Sequence, residues 1–300
     1  MVPEPRGPLA ISNFLRQHDL VQVLWVTLSS GRPRNTPARR LVDKQSSDPL
    51  QAQPYQSSVV AFDDLMVLVG GGTVDFDVLR QLHAAGGRLV GADGGADQIV
   101  AAGLKPELIV GDLDSLKNPA SWLGRTRLMQ LSEQETTDFE KALYSTRAPL
   151  TVALGMTGRR FDHTLAALDA VTRYAAKRRI ILVDEEDVAL ALTSKFSFRV
   201  APGERVSIHP LAPVTFWTSD GLEYPLDAVR LAPGVRTGTS NAAIGGHFTI
   251  VPEEGIDAPY LLILARSHLM GLVEQCRREA KASTKPKQKG PPEGGPISRV

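Results

Sequence analysis

Two aspartates one residue apart, Asp112 and Asp114, follow the apolar run 108–110 and a glycine, Gly111. Carboxylates at the end of a buried strand can hold a hard cation, because Mg²⁺ takes carboxylate oxygens, keeps several waters and shares its shell with substrate phosphates. The glycine lets the backbone turn there without a Cβ clash. The same residues also make an ordinary Asx-type turn, and the pair alone does not separate the two readings. Three more loops bear on the choice. Asp93 follows the run 88–91, Asp138 comes just after 128–131, and Arg160, Asp162 and His163 follow 150–153. If the preceding strands lie parallel, these side chains converge on one edge as a group of carboxylates with a guanidinium and an imidazole. Such a group suits a metal-bound polyphosphate, with aspartates on Mg²⁺ and the arginine neutralising charge on the transferring group.

Each residue has a plainer reading as well. A lone histidine at a helix start, such as His163, is more often structural than catalytic, and Asp138 at a first helical position favours the helix dipole. Gly70-Gly71-Gly72 could cradle phosphate through backbone N–H groups. It is not a Walker A loop, since the chain has no Gly-Lys dipeptide, and Asp75 stands where a dinucleotide fingerprint needs its third glycine. Trp217 and Tyr224 read as packing residues, Ser240-Asn241 as a turn, and the acidic run 184–187 as solvated.

The elements that must carry these groups follow a repeating pattern. The apolar run 65–69, the glycine turn, and a helical pattern at Phe76, Leu79 and Leu82 stopping at Gly86-Gly87 make a strand, a turn and a helix. The unit recurs through 88–103 and 106–143, where Thr137 and Glu140 have the spacing of a capping box. It recurs again through 150–183, with Leu165, Leu168, Val171 and Tyr174 at helical spacing. Strands alternating with helices predict βαβ units and a largely parallel sheet. From about residue 196 the pattern changes to short β-rich pieces, until a final helix from about 267 to 280. The fold expected is α/β: a largely parallel βαβ nucleotide domain followed by a small all-β sandwich. The boundaries expected are a poorly ordered extension over 1–58, the α/β domain over 59–195, the sandwich over 196–266, and a terminal helix with a disordered basic tail over 267–300.

Composition narrows the class. The 300 residues are 42% apolar, enough for one large core or two ordinary ones. The formal charge of +1 hides a basic tail from Arg277 onward and an acidic remainder, which argues against nucleic acid as a partner. A single cysteine, Cys276, excludes an internal disulfide and fits a reducing compartment, so cytoplasm is expected. The run 20–28 is too short to span a bilayer and lacks a signal-peptide pattern, so no membrane is expected.

Six pieces, in order, resemble the thiamine pyrophosphokinase family, also called thiamin diphosphokinases. They are Ala92-Asp93-Gly94-Gly95-Ala96, Gly111-Asp112-Leu113-Asp114-Ser115, Gln134-Glu135-Thr136-Thr137-Asp138-Phe139, Gly158-Arg159-Arg160-Phe161-Asp162-His163, Gly221-Leu222-Glu223-Tyr224-Pro225-Leu226 and Gly238-Thr239-Ser240-Asn241. The resemblance implies an Mg²⁺-dependent transfer of a pyrophosphoryl group from ATP to the hydroxyl of thiamine, giving thiamine diphosphate and AMP. It also implies a homodimer with sites at the subunit interface. Carried over, Asp93, Asp112, Asp114 and Asp138 are the metal and polyphosphate group, with Gln134, Arg160, Asp162 and His163 as neighbours. Tyr224, Ser240 and Asn241 are the thiamine side. Two departures stand out: Arg159 where the family usually has glycine, and Glu133 and Glu135 where aspartate is common. The rival readings are a kinase or pyrophosphokinase for another hydroxylated heterocycle, and a degenerate thiamine or nucleotide binding protein.

Overall fold

The computed structural model describes residues 59–255 and 257–283, all within the second of the two units, 1–46 and 47–300, into which the chain divides. The extension expected over 1–58, with its apolar run 20–28, and the basic tail from 284 lie outside the described residues. The alternating part runs β1 (Val60–Ala61), β2 (Leu65–Val69), α1 (Phe76–Ala84), β3 (Arg88–Ala92), α2 (Gly95–Ala101), β4 (Leu108–Gly111), β5 (Arg127–Gln130) and α3 (Asp138–Ser145). It continues through β6 (Thr146–Arg147), β7 (Leu150–Leu154), α4 (Phe161–Tyr174) and β8 (Arg179–Val183). The rest is β9 (Asp187–Leu192), β10 (Phe196–Phe198), β11 (Ser207–Pro210), β12 (Val214–Asp220), β13 (Val229–Leu231), β14 (Phe248–Pro252), β15 (Tyr260–Ala265) and α5 (Leu269–Ser283).

A mixed α/β architecture results. Nine strands form one sheet in the order β11-β15-β9-β8-β7-β2-β3-β4-β5. The pairs from β8 to β5 are parallel, whereas β9, β15 and β11 add on antiparallel. Buried on both faces, the parallel strands read as continuous apolar runs, and the two-residue period sorts them into two cores. Leu65, Val67 and Val69 face α1 and α5 through Leu79, Leu82, Leu272 and Val273, while Met66 and Leu68 face α3 and α4 through Phe139, Ala142, Ala167 and Val171.

The chain after 196 serves two sheets. β11 and β15 extend the large sheet, while β10, β14, β12 and β13 form a separate four-stranded antiparallel one. The small sheet packs on the antiparallel end of the large one, where the Phe216 ring stands edge-on to Tyr260 with centroids 5.2 Å apart. One core cluster runs from β2 through Phe196, Phe216 and Phe248, so no apolar boundary falls at residue 196.

β2 sits where the strand order reverses, with β3 on one side and β7 on the other. The connections from β2 and β7 diverge to opposite faces there, opening a crevice at the carboxyl ends of the strands, where open α/β sheets take their ligands. α4 forms where its spacing predicts, but its buried side chains are Ala167, Ala170 and Val171, and Leu165 stays exposed. The small residues let α4 approach the sheet closely, and the larger apolar side chains at its start are left outside. No helix among the described residues is long and apolar enough to cross a membrane.

Candidate active site

Three of the four aspartates meet at the crevice. Asp93, Asp112 and Asp138 each present a carboxylate oxygen, and these oxygens lie within 4.8 Å of one another. Each is placed by the end of a different element. Asp93 follows β3 with a left-handed backbone, φ +44°, a conformation that aspartate tolerates better than most residues. Its N–H donates to the Val110 carbonyl at 2.8 Å, which clamps the β3 turn onto β4. Asp112 follows β4 directly, and Asp138 opens α3 behind its N-cap, Thr137, whose Oγ1 accepts the Glu140 N–H at 3.4 Å. The reciprocal half of the capping box is not made. Glu140 instead takes the Arg173 guanidinium, Nε to Oε1 at 2.9 Å, and pins α3 to α4.

The electrostatics are those of a partly desolvated acidic group. Burial pushes the Asp93 carboxyl above its ordinary range, and the charges of Asp138 and Asp112 add to the rise against hydrogen bonds from Ser115. Burial likewise raises Asp138, against the pull of Lys141. Burial also pushes Asp112 up, but hydrogen bonds from Gln134 and Asp114 and the charge of Lys141 bring it below the usual carboxylate value. Gln134 Nε2 donates to Asp112 Oδ2 at 3.0 Å. The Ser115 N–H donates to Asp93 Oδ2 at 3.1 Å, whereas the other oxygen, Oδ1, is buried without a partner. A buried carboxylate oxygen ordinarily has a donor, and one lacking it beside two further carboxylates fits a hard cation.

Lys141 was not legible as a site residue. It lies one helical turn past Asp138 with its side chain only 2% exposed, and its Nζ is 3.1 Å from Asp138 Oδ1 and 3.8 Å from Asp112 Oδ2. The signal in the sequence is the i,i+3 spacing from Asp138, which puts both on one helix face. Asp114 stands at the rim, outside the trio, accepting the Ser115 hydroxyl at 3.0 Å and sending its own N–H towards Asp112 Oδ1. Glu133 turns away from the group. Its carboxylate takes the N–H groups of Glu135 and Thr136 at 2.8 and 3.0 Å, the Thr136 hydroxyl and the Tyr144 hydroxyl. The longer acid at this position thus folds its own loop.

A cavity of about 490 Å³ opens beside Asp93 and Asp138, bounded by the glycine turn 70–72, Thr157, Arg159, Arg160 and His163. Arg159 is exposed, and its backbone is not in the left-handed region, so the Cβ that replaces a glycine there carries no φ strain. Arg160 pairs with Asp162, Nη2 to Oδ2 at 2.6 Å, both of them exposed. Tyr224, Ser240 and Asn241 are not among the cavity's walls and gather elsewhere. Asn241 is buried, and its amide brackets the Tyr224 backbone, Oδ1 accepting from Tyr224 N at 3.0 Å and Nδ2 donating to Tyr224 O at 2.7 Å. Ser240 has φ +59° and donates its N–H to Ser207 Oγ at 3.0 Å. Tyr224 itself is well exposed.

By class, this is an α/β protein whose strand-end crevice gathers three carboxylates beside a cavity walled by two arginines. Residues 79–183 match the family model described as "Thiamin pyrophosphokinase, catalytic domain". A relative from Oryza sativa subsp. japonica, "Thiamine pyrophosphokinase 1", is 28% identical over 184 residues, 50% of this chain and 69% of that one. The crystal structure of thiamin pyrophosphokinase from Geobacillus thermodenitrificans is 25% identical with a TM-score of 0.56, covering 67% of this chain and 97% of that one. Thiamin pyrophosphokinase from Candida albicans shares the fold at 15% identity and a TM-score of 0.57, covering 69% and 93%. Over residues 79–183 the chain is matched by the thiamin pyrophosphokinase family, and its similarity to these relatives extends beyond that stretch.

Proposed function

We propose that this protein transfers a pyrophosphoryl group from ATP to the hydroxyl of thiamine, releasing thiamine diphosphate and AMP, as a cytoplasmic homodimer. The observation that carries the reading is the unpartnered buried oxygen of Asp93 within the group it forms with Asp112 and Asp138. Asp93, Asp112 and Asp138 would hold Mg²⁺, with Asp114 at the rim of the same shell, and the ion would supply charge neutralisation for the polyphosphate. Arg160 and Arg159 carry positive charge on the cavity's other wall and bind the polyphosphate from there. Gln134 fixes the Asp112 carboxylate, while Asp162 and His163 set the orientation of Arg160 and the start of α4. Much of the rate then comes from in-line positioning of donor and acceptor, the main contribution a protein makes to phosphoryl transfer.

The acceptor side rests on residues 196–266, proposed as the thiamine-binding domain. Tyr224 and Ser240 are presented there on a framework held by Asn241. Because they do not line their own chain's cavity, the reading has them reach the cavity of a second subunit. The test is to incubate the protein with thiamine, ATP and Mg²⁺ and resolve the products. Thiamine diphosphate with equimolar AMP is expected. Thiamine monophosphate with ADP would mean attack at the γ-phosphorus and overturn the assignment. Turnover only with another hydroxylated heterocycle would leave the phosphate side standing and move the acceptor.

A further inference from the structure

We infer that Lys141 is a tethered counter-cation of the carboxylate group, a positioning residue that keeps the three aspartates together before any metal arrives. The inference rests on reading that group as the metal site. A lysine buried to 2% exposure is uncommon unless paired, and the partners of this ammonium among the described residues are two of the three grouped carboxylates. Its stem rises from a helix whose neighbouring side chains Phe139, Ala142 and Leu143 are buried, so the ammonium cannot swing out to solvent as a surface lysine does.

Three carboxylates drawn to within 4.8 Å of one another repel strongly where water is scarce. One fixed cation offsets a third of that charge and holds the Asp138 oxygen it touches. The remaining excess is two negative charges, which one divalent ion matches. Lys141 therefore tunes the group between two failures: without it the metal-free site would splay or take up protons, and with more positive charge the ion would be repelled. A structural lysine that merely fills its channel would have no such coupling to metal.

The experiment measures Mn²⁺ binding by electron paramagnetic resonance, together with the shift in melting temperature that Mg²⁺ produces, in the full chain without nucleotide. Wild type is compared with Lys141→Met, Lys141→Arg and Asp112→Asn. Lys141→Met is expected to melt lower without metal, to bind Mn²⁺ about tenfold tighter, and to gain more from Mg²⁺ than wild type does. Lys141→Arg should stay near wild type in metal-free melting. Affinity that is unchanged or weaker in a folded Lys141→Met protein would overturn the inference. Should Lys141→Met fail to fold without metal, the charge-balanced Lys141→Met/Asp138→Asn pair decides. Recovery of folding in the pair supports the counter-cation, and failure of the pair as well makes Lys141 a packing residue only. If wild type binds no Mn²⁺ that Asp112→Asn abolishes, the metal reading itself falls, independently of Lys141.

Discussion

At the scale of single residues, the site is sorted by which carboxylates are stabilised by donors and which are left to repel. Glu133 is the extreme of the first kind. The Thr136 hydroxyl, opposed by slight burial and aided by the N–H groups of Glu135 and Thr136 and by Tyr144, brings its carboxyl down to about 2. A group whose folded value lies below its unfolded one contributes stability above the unfolded value and loses it as pH falls through the folded one. The wild-type protein should therefore shed this contribution between about pH 4.5 and pH 2. Glu133→Gln should be less stable than wild type at neutral pH, and the gap should close in that acid window. Urea midpoints measured from pH 7 to pH 2 check this, and a constant gap would remove Glu133 from the acid response. Asp93 and Asp138 have the opposite sign, because their raised values favour the metal-free fold at low pH and withdraw that support as pH rises.

Among elements, what matters is how closely the strand ends approach. A Cβ on Gly111, which has φ +153°, would stand 2.9 Å from the Asp93 Cβ and 3.1 Å from Asp138 Oδ1. Gly111→Ala should therefore cost about 1–3 kcal/mol, as overpacking does, and, on the proposed metal site, weaken Mn²⁺ binding by parting Asp93 from Asp138. Denaturant midpoints and a Mn²⁺ titration read both effects, and a variant normal in each would show that the crevice has slack. Gly95 makes a second close approach, since an added Cβ would lie 1.8 Å from the Val69 carbonyl, so α2 can start against the end of β2 only without a side chain there.

The strands and the crevice were legible because buried parallel strands leave unbroken apolar runs, and the acids stand at their ends where periodicity stops. Less local features left no such trace. That β11 and β15 join the large sheet depends on pairing across more than fifty residues, as in Ser207 with Ile263, which no window along the chain contains. Lys141 went unremarked because lysine is almost always at the surface, and only tertiary packing buries it. The helical spacing that includes Leu165 predicts α4 but not its buried face, which the alanines of the adjacent stripe supply. Asn241, carried over as a thiamine-side residue, turns both ends of its amide to the Tyr224 backbone, a pairing that neither residue's sequence context announces.

For the whole molecule, the exposed apolar side chains decide what remains to be satisfied. Phe161 is 76%, Trp217 73% and Val235 84% exposed, with Phe161 at the start of α4 beside the cavity and Trp217 on the small sheet. Covering side chains this apolar stabilises an assembly, and the proposed homodimer would cover them. In a two-fold assembly that shares its sites, each site takes residues from both chains. An Asp112→Asn subunit and a Tyr224→Ala/Ser240→Ala subunit, each inactive alone, should then regain about a quarter of wild-type activity when unfolded and refolded together, since half the dimers are mixed and each carries one intact site. No recovery in dimers shown to be mixed would mean that each site is built within one chain.

The ion pair between Arg277 and Asp64 carries a consequence for how the molecule is made. Arg277 on α5 donates through Nε to both Asp64 oxygens at 3.0 Å and through Nη1 to the Ala85 carbonyl at 2.8 Å. It thereby ties the last described helix to the approach of β2, an interior strand where the strand order reverses. During synthesis β2 leaves the ribosome some two hundred residues before the helix that covers it. Until then one face of β2 lacks its final cover, and β9 waits for β15. Folding of the large sheet is therefore completed only after translation has passed α5, and the nascent chain must be protected from aggregation through that interval.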